Sequence, residues 1–508
     1  MRNKGSLPGR AAGGTTVERP LREEQGSARA DDGWARSTCE ARQLGRREGA
    51  LLWNQGRQTQ QPRTLTMSLP SPTASTVEKL QKSLHEKAKS EANFRFYSLW
   101  DKVCRTDVLA EAYRRCRRNG GAAGVDREAF SDIEDQGREA WLANLQQELR
   151  SRKYAPAALR RVWIPKSNGG QRPLGIPTIR DRVVQMAALL VLGPIFEADL
   201  LDEQYGFREK LDAKMAVRRV YFHLTRGHRE VVDGDLRDYF NVIPHGPLMK
   251  SVARRVSDGS MLSVMKAWLN APVVERTPGG EVRSTAARDG HRGTPQGGVI
   301  SPLLANLYFR RFALAFRGSR TALQAGARLV NYADDFVICC RPGKGAMAME
   351  KMRELMGRLG LTVNEQKTRL VKVPEAVFDF LGYTLGRFYG KGGRPYLGTR
   401  PSKKSISRVL GRIHEETSTR WITTSAEKRV EELNPLLRGW CGYFDQGPVY
   451  RPYRLVKRYT ERRLRRWLMK KHKRRGTGYR QYPDEFLYEK LGLFNPLAHR
   501  VSRTRAKA

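Results

Sequence analysis

The clearest pattern in the chain lies at Arg328–Cys340, where two apolar runs flank a tight polar tip. Leu329 and Val330 lead in, and Phe336, Val337 and Ile338 lead out. Tyr332-Ala333-Asp334-Asp335 stands between them, which predicts a strand–turn–strand hairpin. Upstream, Glu230–Asp235 begins as an apolar strand, ends in acid, and runs through Tyr239 and Phe240 to Pro244. The earlier part of the chain is helical in period. Phe94, Tyr97, Trp100 and Val103 step at helical spacing, and Arg114–Arg118 stops at Asn119-Gly120-Gly121. A further helix is expected around Trp141–Leu149.

Arg160–Lys166 and Gln171–Pro177 flank Ser167-Asn168-Gly169-Gly170, and Asn-Gly between apolar runs predicts a hairpin. Thr178 and Asp181 form a capping box that opens an apolar helix to about Phe196. Ser301 before Pro302 reads as an N-cap and first helical residue, with Leu303, Leu304, Leu307 and Tyr308 on the buried face. Met347–Leu359 is an amphipathic helix, and from Pro401 the chain is helical and basic.

Composition changes this picture at both ends. Residues 1–66 lack periodicity and are expected to be disordered, with Met67 opening a more ordinary start. A chain of 508 residues suggests two to four domains. The net charge of +42 points to a polyanionic partner, bound more weakly as salt rises. The longest apolar stretch, Val183–Phe196, is too short to span a membrane. Six cysteines without a Cys-x-x-Cys pair indicate neither a zinc module nor a disulfide framework, and a cytoplasmic setting is expected.

Adjacent carboxylates at a hairpin tip resist burial unless a cation holds them. With the strand ending at Asp235 beside the hairpin, Asp235, Asp334 and Asp335 converge, the protein half of a two-metal phosphoryl-transfer site. Asp233 reads as a strand-edge residue and Asp238 as solvated or capping. Lys166 and Arg172, on the two arms of the Asn-Gly hairpin, are placed to grip a triphosphate. Arg208 reads equally as a template or primer contact and as a structural ion pair. Arg451–Arg475 holds thirteen Lys or Arg in twenty-five positions, interleaved with aromatics, and reads as an RNA-backbone surface that includes Arg462, Arg463, Arg465 and Arg466.

The YADD hairpin, the Asp235 strand and the string Gly-Thr-Pro-Gln-Gly-Gly-Val-Ile-Ser-Pro at 293–302 together resemble the group II intron-encoded reverse transcriptases and maturases, over roughly residues 90–480. The resemblance implies an α+β fold, a right-hand polymerase of fingers and palm followed by a helical thumb and maturase domain. The expected divisions are 1–66, 67–230 (N-terminal extension and fingers), 231–398 (palm) and 399–508 (thumb and maturase). It implies two Mg²⁺ ions on Asp235, Asp334 and the Leu236 carbonyl. It also places Gln296, Lys367 and Phe240 around the incoming nucleotide, and Gly382 and Tyr383 at the primer end. Implied partners are the intron RNA, an RNA template, a DNA primer, dNTPs and target DNA, in a bacterial cytoplasm near the nucleoid.

Family members often continue into a segment with paired cysteines. This chain has no cysteine past Cys441, an expectation against target-strand nicking. A reverse transcriptase of another system (retron, diversity-generating or defence) and a splicing-only RNA-binding maturase are the alternatives. Retention of all three acids argues against the second.

Overall fold

The computed structural model describes residues 72–165, 170–277, 280–390 and 392–498. The expectations for residues 1–66, Met67, Lys166 and the Asn168-Gly169 turn lie outside these. Strands β1 (Leu159–Pro165) and β2 (Gln171–Ile176) form the antiparallel arms expected around Asn-Gly, with Pro165 opposite Gln171. Then come β3 (Glu230–Asp235), β4 (Val273–Thr277) and β5 (Gly280–Ser284), followed by β6 (Arg328–Tyr332) and β7 (Asp335–Cys340). The last strands are β8 (Arg369–Lys372), β9 (Phe378–Phe380), β10 (Tyr383–Tyr389) and β11 (Pro395–Pro401). They assemble into sheets ordered β2-β1-β4-β5, β6-β7-β3-β8 and β11-β10-β9.

The β6-β7-β3-β8 sheet is antiparallel and separates two cores. Side chains alternate across a strand, so neighbouring residues serve opposite faces. Val232, Phe336, Ile338 and Cys340 enter one core, with the helices Ile179–Glu197, Ser301–Arg317 and Gly345–Arg358. Val231, Val337 and Cys339 enter the other, with the helix Ala213–Thr225 and the C-terminal helices Lys403–Glu416, Ala426–Tyr443 and Tyr450–Lys471. Each large apolar side chain fully buried this way contributes about 1.5–3 kcal/mol. Lys214 fastens the second core, its ammonium 3.2 Å from Asp445 and within hydrogen-bond reach of the Gly442 carbonyl. β3 is therefore a central strand, and Asp233 is not the strand-edge residue that the sequence suggested.

Two helix starts differ from expectation. Thr178 Oγ1 accepts from Asp181 N at 3.0 Å, but the Asp181 carboxylate turns away to Tyr154 Oη and Ala157 N, so only half of the capping box forms. Burial, opposed by these hydrogen bonds, leaves the Asp181 carboxyl above its ordinary range. Ser301 is the first helical residue rather than the cap, and its hydroxyl has no hydrogen-bond partner among the described residues. Gln185 caps the approach instead, its Oε1 accepting from Val299 N at 2.8 Å. A polar residue inside an otherwise apolar helix thus has a structural use. The five described cysteines are free and buried, and among the described residues no helix is long and apolar enough to cross a membrane.

Candidate active site

The β3–β7 register sets Asp235 directly across from Asp335, and Gly234 across from Phe336. Opposed residues of an antiparallel pair share a face, so Asp233, Asp235 and Asp335 look to one side of the sheet. Tyr332 pairs with Asp335, which leaves Ala333 and Asp334 as a two-residue turn. Ala333 takes a left-handed φ of 60°, a conformation that costs a non-glycine residue about 1–2 kcal/mol.

A buried polar frame holds that turn. Asn331 Nδ2 donates to the Ala333 carbonyl at 2.7 Å. The Asn331 backbone is gripped from both sides, by Tyr205 N and by the Glu203 carbonyl, each at 2.8 Å. Asn306 Nδ2 donates to the Gly206 carbonyl at 2.7 Å, and Gln204 Nε2 to the Asn306 carbonyl at 2.9 Å. Gly206 is required here, because a Cβ would stand 3.0 Å from the Tyr332 carbonyl carbon and closer still to Ala333 N. Asn331, Gln204 and Asn306 are site residues that sequence reasoning missed. A polar residue in an apolar strand, as Asn331 is in β6, is the one cue that was available.

The end of β3 is held by the segment 362–368. Arg237 N donates to the Thr362 carbonyl and Asn364 N to the Asp235 carbonyl, while Asp235 N donates to Thr368 Oγ1 at 3.2 Å. The Asp235 carboxylate accepts from Asn364 Nδ2 at 3.2 Å and lies 2.9 Å from Lys367 Nζ. Asp233 pairs with Arg369 at 3.1 Å, and Asp238 is exposed beside the short helix Tyr239–Val242 without a side-chain cap bond.

Asp335 is exposed as a residue, but its carboxyl is crowded by its neighbours. Desolvation, then repulsion from Asp334, Asp235 and Asp233, pushes that carboxyl up to about 7, with Lys367 opposing. Carboxylate and carbonyl oxygens suit a hard divalent cation, and such a cation would relieve this repulsion. Among the described residues no three His, Cys, Asp or Glu side chains converge on one point. Asp235 is instead turned onto Lys367 and Asn364, and would have to leave them to join Asp334 in holding a metal.

The Gly-rich loop 293–298 bridges this centre and the β1–β2 hairpin. Arg172 Nε donates to Gln296 Oε1 at 2.7 Å, and Gly175 N to the Gln296 carbonyl at 2.7 Å. Thr294 N donates to the Phe240 carbonyl at 2.7 Å. Phe240 is buried with its ring edge-on to Phe207, and Leu236 is buried in a bridge to Val363. The structure thus brings Arg172, Gln296 and Phe240 to one wall and Lys367 to the carboxylates.

Four expected contact residues are committed elsewhere. Arg208 takes the structural alternative, pairing with Glu197 at 2.6 Å and donating to the carbonyls of Leu201 and Gln204. Tyr383 is fully buried, its hydroxyl donating to the Tyr443 carbonyl, and only the preceding Leu381-Gly382 turn is at the surface. Arg465 is 1% exposed, bonded to the Tyr482 carbonyl and paired with Asp484, so it is no RNA-facing cation. Arg463 donates to Thr417 Oγ1 and the Thr417 carbonyl, both at 3.0 Å. Arg462 and Arg466 are exposed, in a row with Arg451, Arg454, Arg458 and Lys470.

Two family profiles match this architecture. Residues 164–385 match the reverse transcriptase (RNA-dependent DNA polymerase) family, and residues 406–483 the group II intron maturase-specific domain. The chain is 33% identical over 368 residues to Protein YkfC of Escherichia coli, covering 65% of this chain and 93% of that protein. It is 30% identical over 238 residues to the group II intron-encoded protein LtrA of Lactococcus lactis, covering 47% of this chain and 37% of that protein. A putative COX1/OXI3 intron 1 protein of Saccharomyces cerevisiae is 25% identical over 330 residues, covering 55% of this chain and 38% of that protein. The chain therefore spans nearly all of the first relative and well under half of the other two.

Proposed function

This chain belongs to the family of group II intron-encoded reverse transcriptases and maturases, and on that ground we propose how its residues divide the work of RNA-directed DNA synthesis. The β2-β1-β4-β5 sheet acts as fingers, the β6-β7-β3-β8 sheet as palm, and the helices from Lys403 onward as thumb and maturase domain. The observation that carries the reading is the register of Asp235 on Asp335, with the Asp334 turn at the same end of the sheet. Asp235, Asp334 and the Leu236 carbonyl would hold two Mg²⁺ ions, which when bound stabilise charge as a primer 3′ hydroxyl attacks the dNTP α-phosphate and pyrophosphate departs.

The protein's own part is positioning. Arg172, fixed by Gln296, faces the triphosphate as a bidentate donor. Lys367 leaves Asp235 for the phosphates once nucleotide and metal are in place. Phe240, locked under the Thr294 loop, walls the sugar side. The Leu381-Gly382 turn meets the primer end by backbone. The exposed cationic row of Tyr450–Lys471 takes the intron RNA, so that splicing and copying of the intron share one chain.

Primer extension on an RNA template with Mg²⁺ tests the reading. Asp334→Asn keeps the shape of the turn but weakens oxygen ligation. Extension should fall by at least about a hundredfold, since several kcal/mol of charge stabilisation are lost. RNA binding should stay near wild type. Extension within a few-fold of wild type would remove Asp334 from the reaction.

A further inference from the structure

The helix Ser301–Arg317 meets the sheet through Phe309 and Phe312, which lie 5.6 Å and 5.9 Å from the Phe336 ring, on the face opposite Asp335. Other residues of that helix line a cavity of about 490 Å³, shared with the helices His245–Ala253 and Gly345–Arg358. Arg254, Arg310, Arg311 and Arg358 line it, over an apolar floor that includes Leu307 and Leu355. The one acid in the lining, Asp199, is already paired with Arg255 at 3.1 Å.

These guanidiniums are only lightly used within the chain. Arg254 is exposed, and its guanidinium makes no hydrogen bond or ion pair among the described residues. Arg358 has a 3.5 Å contact to Glu354, with both side chains largely in solvent. Arg310 donates through Nε to the Asp199 carbonyl at 2.6 Å, which leaves its terminal nitrogens for another acceptor. Arg311 reaches Ser251 Oγ at 3.2 Å and the Pro247 carbonyl at 3.4 Å, and its buried Nε has no hydrogen-bond partner among the described residues. Burial lowers the Arg310 pKa, and Arg254, Arg255 and Arg317 lower it further against the pull of Asp199. Gathering four cations around a cavity costs the isolated chain free energy, which an anionic ligand recovers.

An apolar lining beside four guanidiniums, with its one acid already paired, fits a nucleotide, with an aromatic base on the apolar part and phosphates on the arginines. Folded RNA presents such groups where a base is unstacked, and planar guanidiniums bind phosphates bidentately. The volume lies within the range of small-ligand sites. We propose that this cavity is a second RNA site, which receives one unstacked nucleotide of a folded RNA with its base on Leu307 and Leu355 and its flanking phosphates on Arg254, Arg310, Arg311 and Arg358. The proposal rests on the reading that this chain binds intron RNA, and it adds a contact remote from both the carboxylates and the C-terminal helices.

The test uses the full chain and two variants, with intron-RNA binding measured across a KCl series. Arg254→Gln/Arg358→Gln removes two exposed cations that support little of the fold. Its binding should weaken and its salt slope should fall by about two, roughly one per phosphate contact. Ala315→Trp fills the cavity from an exposed lining position and leaves every charge in place, and it should weaken binding at least about threefold. Extension of a pre-annealed short primer–template should be unchanged in both.

Wild-type affinity in both variants, or an effect of the arginine pair without one from Ala315→Trp, overturns the proposal. Adenosine monophosphate raising the thermal transition while RNA fails to displace it would assign the cavity to a free nucleotide, and overturns it too. Failure of the wild-type chain to bind RNA or extend a primer would instead count against the function proposed above.

Discussion

Gly234 lies across from Phe336, and a Cβ there would come within 2.5 Å of the ring's Cε2. That ring is buried against Phe309 and Phe312 and has little room to give. Gly234→Ala should therefore destabilise the fold by about 1–3 kcal/mol, as overpacking does. A thermal melt would show this, and pairing it with Phe336→Leu should restore much of the loss. A Gly234→Ala protein that melts like wild type would mean the two strands are differently opposed. At this scale the sequence was informative about chemistry and poor about partners. Asp235, Asp334 and Asp335 stood out because clustered acids beside apolar strands are unusual, whereas Gln296 and Lys367 were marked only by the family resemblance. Arg208, Arg463 and Arg465 look like any other arginine in the chain. Their commitments to Glu197, Thr417 and Asp484 depend on neighbours that only folding supplies.

The helix Tyr450–Lys471 shows how far periodicity reaches. Tyr453, Val456, Leu464, Trp467 and Leu468 form its buried side, and the opposite side carries Arg451, Arg454, Arg458, Arg462, Arg466 and Lys470. Helical spacing alone would have placed Arg454 and Arg458 on the exposed row. It could not show that the segment around Tyr482 and Asp484 covers Arg465. Neutralising Arg454, Arg458, Arg462 and Arg466 to Gln should weaken intron binding and lower its salt slope by about four. Extension of a short pre-annealed duplex at saturating concentration should be largely spared. Arg465→Gln should instead lower the melting temperature, because it leaves Asp484 and the Tyr482 carbonyl without their donor. If Arg465→Gln lost RNA affinity without losing stability, the two arginine classes would have to be exchanged.

For the whole molecule, the two-sided sheet was half visible. The continuous apolar run in β7 indicates a strand buried on both faces, but nothing in it says which helices cover which face. That pairing is set by contacts between distant segments, such as Lys214 with Asp445. The helix Ala213–Thr225 also carries a pH signature. His223, on the helix Ala213–Thr225, has its pKa pushed down to about 4 by burial first and then by His228, Arg219 and Arg328. Between pH 4 and 6.5 the unfolded chain then binds more protons than the native one, so stability should fall as pH drops through that window. His223→Gln should flatten this part of a melting-temperature profile and leave the profile above pH 7 unchanged in slope. An equally steep acid limb in the variant would place the titrating group elsewhere.

The alternation along β7 also decides which changes in gene length the chain can survive. Losing a single codon inside Phe336–Cys340 would turn the residues on one side of the loss to the opposite face, so that side chains of one core would enter the core built for the other. Both halves of the molecule would fail at once, with the Ala333-Asp334 turn beside them. The same loss in the turn between β10 and β11 shortens only a surface connection. A codon-deletion scan should therefore show a sharp intolerant interval over β7 and a permissive one near Gly392. Descendant copies of this gene should vary in length at such connections and hold β7 fixed in length even where its residues drift.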